Sequence, residues 1–302
     1  MTWVEQLRAH EAVFRRAPSA HNTQPWQLEY HADEVAVTVD PARSLPDSDP
    51  TGRDLDLGIG AFVETCLIVS AGLGLAVTAV PGPRLVPAAK VYSTPFTIAD
   101  VEARRVARGR YAPGPLDPAV LAELGPGLAH VPARELVRDL AVADRWMFGT
   151  PAVALELRDW LRLDPRHPRY HLDGLTDRAL VLSRFEARFL ATALHAYPVT
   201  RRLGLATLLA TSGRSLLRYD GSVLVLLADG TDRVTAGRRL LRTWLALARH
   251  GLAVHPLSQL LDCPQTAARL TDRIGGRPLA VFRVGRPLAE PIRSARLPAQ
   301  VH

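Results

Sequence analysis

The stretch Arg15-Arg-Ala-Pro-Ser-Ala-His-Asn-Thr-Gln-Pro-Trp26 concentrates the side chains most suited to binding chemistry. Ser19, Asn22 and Gln24 lie between Pro18 and Pro25, and each proline fixes its own φ. A rigid loop of hydroxyl and amide groups offers donors and acceptors in alternation. Such a surface suits a planar heterocycle with alternating N–H and C=O edges. It equally suits a capped turn that leads into a core Trp26, and spacing alone leaves both readings open.

Other signatures fail on their own geometry. Gly58-Ile-Gly60 lacks the third glycine of a dinucleotide fingerprint and falls inside an expected helix, not after a strand. Asp47-Ser-Asp49 imitates the start of a calcium loop, but the twelfth position is Gly58 where a bidentate Glu is needed. No G-x-S-x-G elbow occurs, so no nucleophile or catalytic side chain is nominated. His167 and His171 have i,i+4 spacing, yet Pro168 interrupts them and no third ligand is evident, so no metal is expected.

The elements that must position the loop read as follows. Apolar spacing predicts a helix over 3–16, ended by Pro18. Trp26–Tyr30 and Val35–Val39 alternate as strands. Asp54 is placed to cap a helix running to about Leu73, apolar nearly all round and therefore central. Residues 75–80 and 91–96 follow as strands, then helices over 98–109 and 117–124. The remainder reads as helices over 134–147, 151–162, 175–195, 201–210, 233–250 and 264–273, with strands at Val223–Leu227 and Leu279–Val284. Strands mixed with long helices indicate an α+β fold.

With these elements in view, Ala17-Pro-Ser-Ala-His-Asn-Thr-Gln-Pro-Trp26 resembles the APSxxNxQPW motif of the FMN-dependent nitroreductase family. Asp49-Pro-Thr-Gly-Arg-Asp-Leu-Asp-Leu-Gly-Ile-Gly60 is similar to the branch typified by the mycobacterial Acg proteins. The likeness continues through Glu156–Trp160, Asp173–Leu175, Gly251–Ser258 and Arg283–Gly285, almost the whole chain. In the family an RRSxR string precedes the APS motif and holds the flavin phosphate. Here the comparable string is Arg104-Arg105-Val106-Ala107-Arg108, downstream of it.

That order implies a nitroreductase-like fold built from two degenerate repeats in one chain: a first half over 1–97 and a second over 98–302, intertwined around one long buried helix. One half would supply the APS loop and the other the arginines, at a pseudo-dimer interface. The cofactor residues implied are Pro18, Ser19, Asn22, Gln24, Arg104, Arg105, Arg108, Pro256, Ser258, Gln259 and Arg296. Ser258 and Gln259 replace the Glu-Gly of the family's GLxxxPIEG segment, so their backbone groups are the implied contacts. Ser294 stands at the lysine position of the terminal KxRLP segment, and Val106 at the serine of RRSxR. A phosphate needs charge-assisted donors, which arginine forks supply.

The implied activity is electron transfer from NAD(P)H through FMN to a small organic acceptor, in ping-pong order. Two alternatives are flavin storage beneath a lid formed by residues 164–175, and a tailoring enzyme on this scaffold with an altered or lost cofactor.

Composition bounds the rest. The chain has 302 residues, 47% of them hydrophobic, enough to bury a large core. Its formal charge is +7, and Lys90 is the only lysine. A coding bias toward Arg, Ala, Gly and Pro explains most of that excess. Aromatics at 6%, with no basic cluster interleaved by them, argue against nucleic acid. Cys66 and Cys263 are too few for a disulfide framework, and the charged N-terminal stretch has no signal-peptide core. The apolar stretch from Cys66 to Val80 is too short to span a bilayer. A cytoplasmic protein without membrane contact, a monomer or homodimer, is the expectation.

Overall fold

The computed structural model describes residues 1–204, 207, 209 and 214–299. Two antiparallel four-stranded sheets flank a pair of long crossing helices, so the fold is α+β. In the first sheet, β1 (Trp26–Tyr30) pairs with β2 (Val35–Val39). The order there is β1-β2-β4-β3, with β3 at Val77–Val80 and β4 at Arg84–Pro87. In the second, β5 (Leu128–Pro132), β8 (Ser222–Leu227), β10 (Pro278–Gly285) and β9 (Ala253–Pro256) lie in the order β5-β8-β10-β9. Between them in sequence, β6 (Leu161–Arg162) and β7 (Leu175–Thr176) form a two-stranded parallel ribbon.

Burial periodicity explains the layers. In β1 and β2 alternate residues, among them Leu28 and Val37, bury against Phe62, Val63 and Leu67 of the central helix Arg53–Gly72. Strand β8 reads Ser-Val-Leu-Val-Leu-Leu because both of its faces are covered. Val223 and Val225 meet Leu140, Leu260 and Leu270 from the helices Val137–Gly149, Gln259–Asp262 and Pro264–Ile274. Leu224 and Leu226 meet Leu240, Trp244 and Leu247 of the crossing helix Arg233–Arg249. Each fully buried Leu, Val or Phe contributes about 1.5–3 kcal/mol by leaving water.

The central helix is apolar on every side because it has neighbours on every side. By length and composition it could cross a membrane, yet 78% of its most apolar window is buried inside the protein. Its Ala61 and Ile68 form one cluster with Leu241 and Leu245 of the crossing helix and Val101. Glu64, fully buried on it, takes hydrogen bonds from Arg238 Nε and the Tyr92 hydroxyl, both at 2.8 Å.

Several expected boundaries move. The first helix breaks at His10 into Trp3–Ala9 and Glu11–Phe14. The central helix starts behind Gly52, whose φ of +65° suits glycine. The Leu55 amide is capped by Asp49, at 2.9 Å, while Asp54 pairs with Arg53. Residues 91–96 are not a strand; Tyr92 serves Glu64 instead. Short strands β4, β5 and β9 arise where helix or loop was expected: β4 closes a hairpin with β3, whereas β5 and β9 find their partners, β8 and β10, farther along the chain.

The expected helix over 98–109 stops at Ala103, with Arg104 already extended at ψ 132°. Beyond it, Ala107 N donates to the Val254 carbonyl and Val106 bridges Val254 along the edge of β9. Tertiary pairing therefore overrides local helix propensity there. The helix expected over 151–162 ends at Asp159, and that over 175–195 divides into β7, Asp177–Leu180 and Arg184–His195. A helix at Tyr197–Arg202 overlaps the start of the expected 201–210 helix, part of which lies outside the described residues.

Candidate functional site

The loop from Ala17 to Trp26 carries three non-glycine residues in the left-handed region: His21 (φ 46°), Asn22 (φ 58°) and Gln24 (φ 54°). Such backbone costs on the order of 1–3 kcal/mol per residue and persists only where the surroundings enforce it. The enforcement is visible. Ser19 Oγ accepts from the Gln24 amide at 2.9 Å. Asn22 Nδ2 donates to the Gly174 and Ala295 carbonyls, at 3.2 and 3.1 Å. Gln24 Nε2 donates to the Leu172 carbonyl, and its Oε1 accepts from the Leu297 amide, both at 2.9 Å. The loop is thus clamped to residues 172–174 on one side and 295–297 on the other. Trp26, stacked on Phe62 at 4.6 Å, anchors its exit in the core.

Beside this loop lie two joined chambers. The larger, of about 310 Å³, runs between Pro18–His21, the start of the central helix, Trp244, and the end of β9 with Ser258 and Gln259. Its outer wall is apolar, built by Trp146, Met147, Phe148, Val153 and Leu157. The smaller, of about 40 Å³, is ringed by Arg16, Asn22, Arg104, Arg105, Ser294 and Arg296. Pro18, Ser19, Val106, Arg108 and Leu175 line both and form the neck between them.

The small chamber gathers cations, and among the described residues no carboxylate lines it. Arg104, 6% exposed, donates through Nη2 to the Arg16 carbonyl at 2.9 Å. Its Nη1 is buried with no hydrogen-bond partner among the described residues. The guanidinium sits 5.9 Å from the Trp244 ring centre. Arg296 is spent on Asn22 Oδ1 at 2.7 Å and on the carbonyls of Arg15, Arg16 and Ala17.

Among the described residues, none of Arg16, Arg104, Arg105, Arg108 and Arg296 lies within 4.0 Å of a carboxylate. Burial first, then mutual repulsion with Arg16 and Arg105, pulls Arg104 down to about 10. Arg16 falls to about 10 through burial and then Arg293 and Arg105, and Arg108 to about 10 through burial. Arg296 is held well below the arginine range, by burial and then Arg16 and Arg104. A small, partly dry space that assembles several guanidiniums and leaves one buried N–H unpaired is chemically complementary to a multiply charged oxyanion.

The large chamber has polar points of its own. Trp244 Nε1 and His21 Nδ1 are buried on its lining without hydrogen-bond partners among the described residues. Burial keeps the His21 imidazole neutral, down to about 4. Arg53 bridges Asp54 and Asp262, at 2.8 and 2.7 Å, and burial beside Asp54 pushes Asp262 up to about 8. Gln259 Nε2 donates to Asp144 at 3.3 Å.

Ten of the eleven nominated residues therefore surround one continuous space: Pro18, Ser19, Arg108, Pro256, Ser258 and Gln259 line the large chamber, and Asn22, Arg104, Arg105 and Arg296 the small one. Gln24 does not reach it. Its side chain is fully buried and spent on clamping, so a cofactor contact is replaced by a positioning one. Asn22 has likewise committed its amide to protein groups. Arg16, His21, Trp244 and His255 also line the space and carried no individual signal beyond lying in or near the quoted strings.

No family model matches the chain. It is 26% identical to Rv3131 of Mycobacterium tuberculosis H37Rv, named as an NAD(P)H nitroreductase, over 93% of this chain and 85% of that protein. It is 32% identical to acg of the same strain, also named as an NAD(P)H nitroreductase, over 74 residues, 24% of this chain and 22% of that one. Among solved structures, the FMN-dependent nitroreductase NfnB of Mycobacterium smegmatis, in complex with NADPH, aligns with 63% of this chain and 86% of its own. That alignment has 19% identity and a TM-score of 0.35.

Proposed function

We propose that the chain is an FMN-binding oxidoreductase of nitroreductase type, using NAD(P)H to reduce a small organic acceptor in ping-pong order. One observation carries the reading: the unpaired, buried Arg104 Nη1 stands in a carboxylate-free arginine chamber that opens directly into an apolar cavity. An elongated ligand with an anionic tail and a flat, largely apolar head fits that division. The tail would rest on Arg16, Arg104, Arg105, Arg108 and Arg296. Ser19 would meet the middle of the ligand at the neck, and Ser258 and Gln259 its head. The names carried by the tuberculosis relatives support the same class.

When bound, FMN would supply the redox chemistry; this chain's residues would bind it, orient it and exclude water. The two-half organisation, 1–97 and 98–302, is part of the proposal. It is supported by each sheet packing on one long helix, and by Arg104–Arg108 following the edge of the second sheet while the APS loop belongs to the first.

The test is FMN titration of the purified protein, followed by desalting and anaerobic NADPH. A retained flavin band that NADPH bleaches is expected. A colourless protein that no concentration of FMN saturates would refute the reading.

One observation favours a second reading, flavin storage. Asp173, fully buried, takes ion pairs from Arg43, Arg162 and Arg169, and the Gly174 carbonyl accepts from Asn22. The segment beside the chamber neck is therefore fastened rather than loose. Flavin that binds but resists NADPH would select this reading.

A further inference from the structure

Arg283 is 2% exposed on β10 and faces no carboxylate among the described residues. It spends its fork on four groups instead. Nε donates to His255 Nδ1 at 3.1 Å. Nη1 donates to the Leu216 carbonyl at 3.1 Å, and Nη2 to the carbonyls of Arg108 and Gly109, at 2.8 and 2.6 Å. The Tyr111 ring lies beneath the guanidinium, 4.3 Å from its carbon. A buried guanidinium is costly unless its donors are satisfied, and here these four acceptors satisfy it without a carboxylate.

Arginine has five N–H donors and no acceptor. The His255 nitrogen that meets it must therefore be the unprotonated one, and the ring proton sits on Nε2. His255 and Arg283 are direct cross-strand partners of β9 and β10, so sheet register enforces the contact. The imidazole lines the large chamber, and among the described residues Nε2 has no protein partner. Burial, then Arg108 and Arg283, keeps the ring well below the usual histidine range, so it stays neutral.

We propose that Arg283 is a positioning residue that locks His255 as a neutral Nε2–H donor, and that this donor binds a ring nitrogen or carbonyl oxygen on the head of the cavity's ligand. The same guanidinium, through the Arg108 and Gly109 carbonyls, sets the backbone at the chamber neck. One buried group thus registers the head site against the tail site. The identity of the ligand as a flavin rests on the preceding reading; the tautomer does not.

The test has two arms on the full-length protein. Nitrogen-15 NMR of the ligand-free protein should show His255 as the neutral Nε2–H form, unchanged between pH 7 and pH 5.5 (chosen to bracket the ordinary value of about 6.5). A proton on Nδ1, or titration within that range, overturns the proposal. FMN titration should then show about tenfold weaker binding in His255→Phe, the size of one neutral hydrogen bond, with substantial recovery in His255→Gln. Equal affinity in wild type and His255→Phe overturns the donor while leaving the flavin reading intact. A wild type that takes up no FMN overturns the flavin reading and the ligand assigned to this donor together; the tautomer is still decided by the first arm.

Discussion

Gly60 and Gly237 meet where the two long helices cross: a Cβ on Gly60 would lie 2.8 Å from the Gly237 Cα and 1.9 Å from the Val234 carbonyl oxygen. The reverse addition, at Gly237, would lie 2.2 Å from the Leu57 carbonyl oxygen. The helices therefore touch backbone to backbone. Leu57, Gly58 and Ala61 on one helix and Leu240 and Trp244 on the other line the large chamber beside this crossing. Its width depends on how closely the helices approach.

Gly60→Ala should accordingly destabilise the protein by at least about 1–3 kcal/mol, the usual cost of overpacking, because only backbone is available to move. Chemical denaturation measures it. A midpoint equal to that of the wild type would mean that the helices separate at no cost.

Arg104→Ala should weaken FMN binding on the order of tenfold to a hundredfold, the worth of a charge-assisted hydrogen bond. Arg108→Ala should do the same at the neck. Riboflavin, which lacks the phosphate, is the control: its affinity should change little in Arg104→Ala. Parallel losses for both ligands would move Arg104 from the tail site to a general structural role.

Asp173→Ala should leave the buried Arg162 without its carboxylate and Arg43 with only Asp40, at 3.7 Å, at a cost of about 3 kcal/mol or more. Hydrogen exchange should rise across residues 160–176, and flavin should dissociate faster. Protection unchanged in that segment would show that Asp173 is not what fastens it.

Acid should destabilise the fold through His21. Unfolded, its imidazole takes up a proton near 6.5; folded, only near about 4, chiefly because of burial. Between those values the unfolded chain binds more protons, so stability falls as pH drops. From pH 7 to pH 5 the loss from this group is up to about 2 kcal/mol. His21→Asn keeps a residue that tolerates the left-handed backbone and should remove that part of the acid loss. Denaturation curves at the two pH values decide it; an unaltered pH dependence would place the acid sensitivity elsewhere.

The local signals were strong where an element's own residues dictate it. Trp26–Tyr30 and Val35–Val39 are strands at the expected bounds because alternation places one face in the core. The central helix follows from an apolar run too long for a strand, and Gly251, at φ +68°, follows the end of Arg233–Arg249 as a C′ glycine should. The same local reading failed at β5, β9 and residues 104–109, where a few residues are ordered by a partner strand far away in the chain.

The candidate site divides along the same line. By residue type and order, the sequence alone determined a polar proline-bounded loop and an arginine string, because those are properties of contiguous residues. Only the tertiary structure decided that Asn22 and Gln24 spend their amides on clamping the loop, and that Arg104 has no carboxylate partner among the described residues. It alone placed Trp244, His255 and Arg283 beside them. Hydrogen-bond satisfaction, burial and like-charge crowding depend on what stands within a few ångströms in space, and chain order does not encode that distance until the two sheets and the two helices have packed.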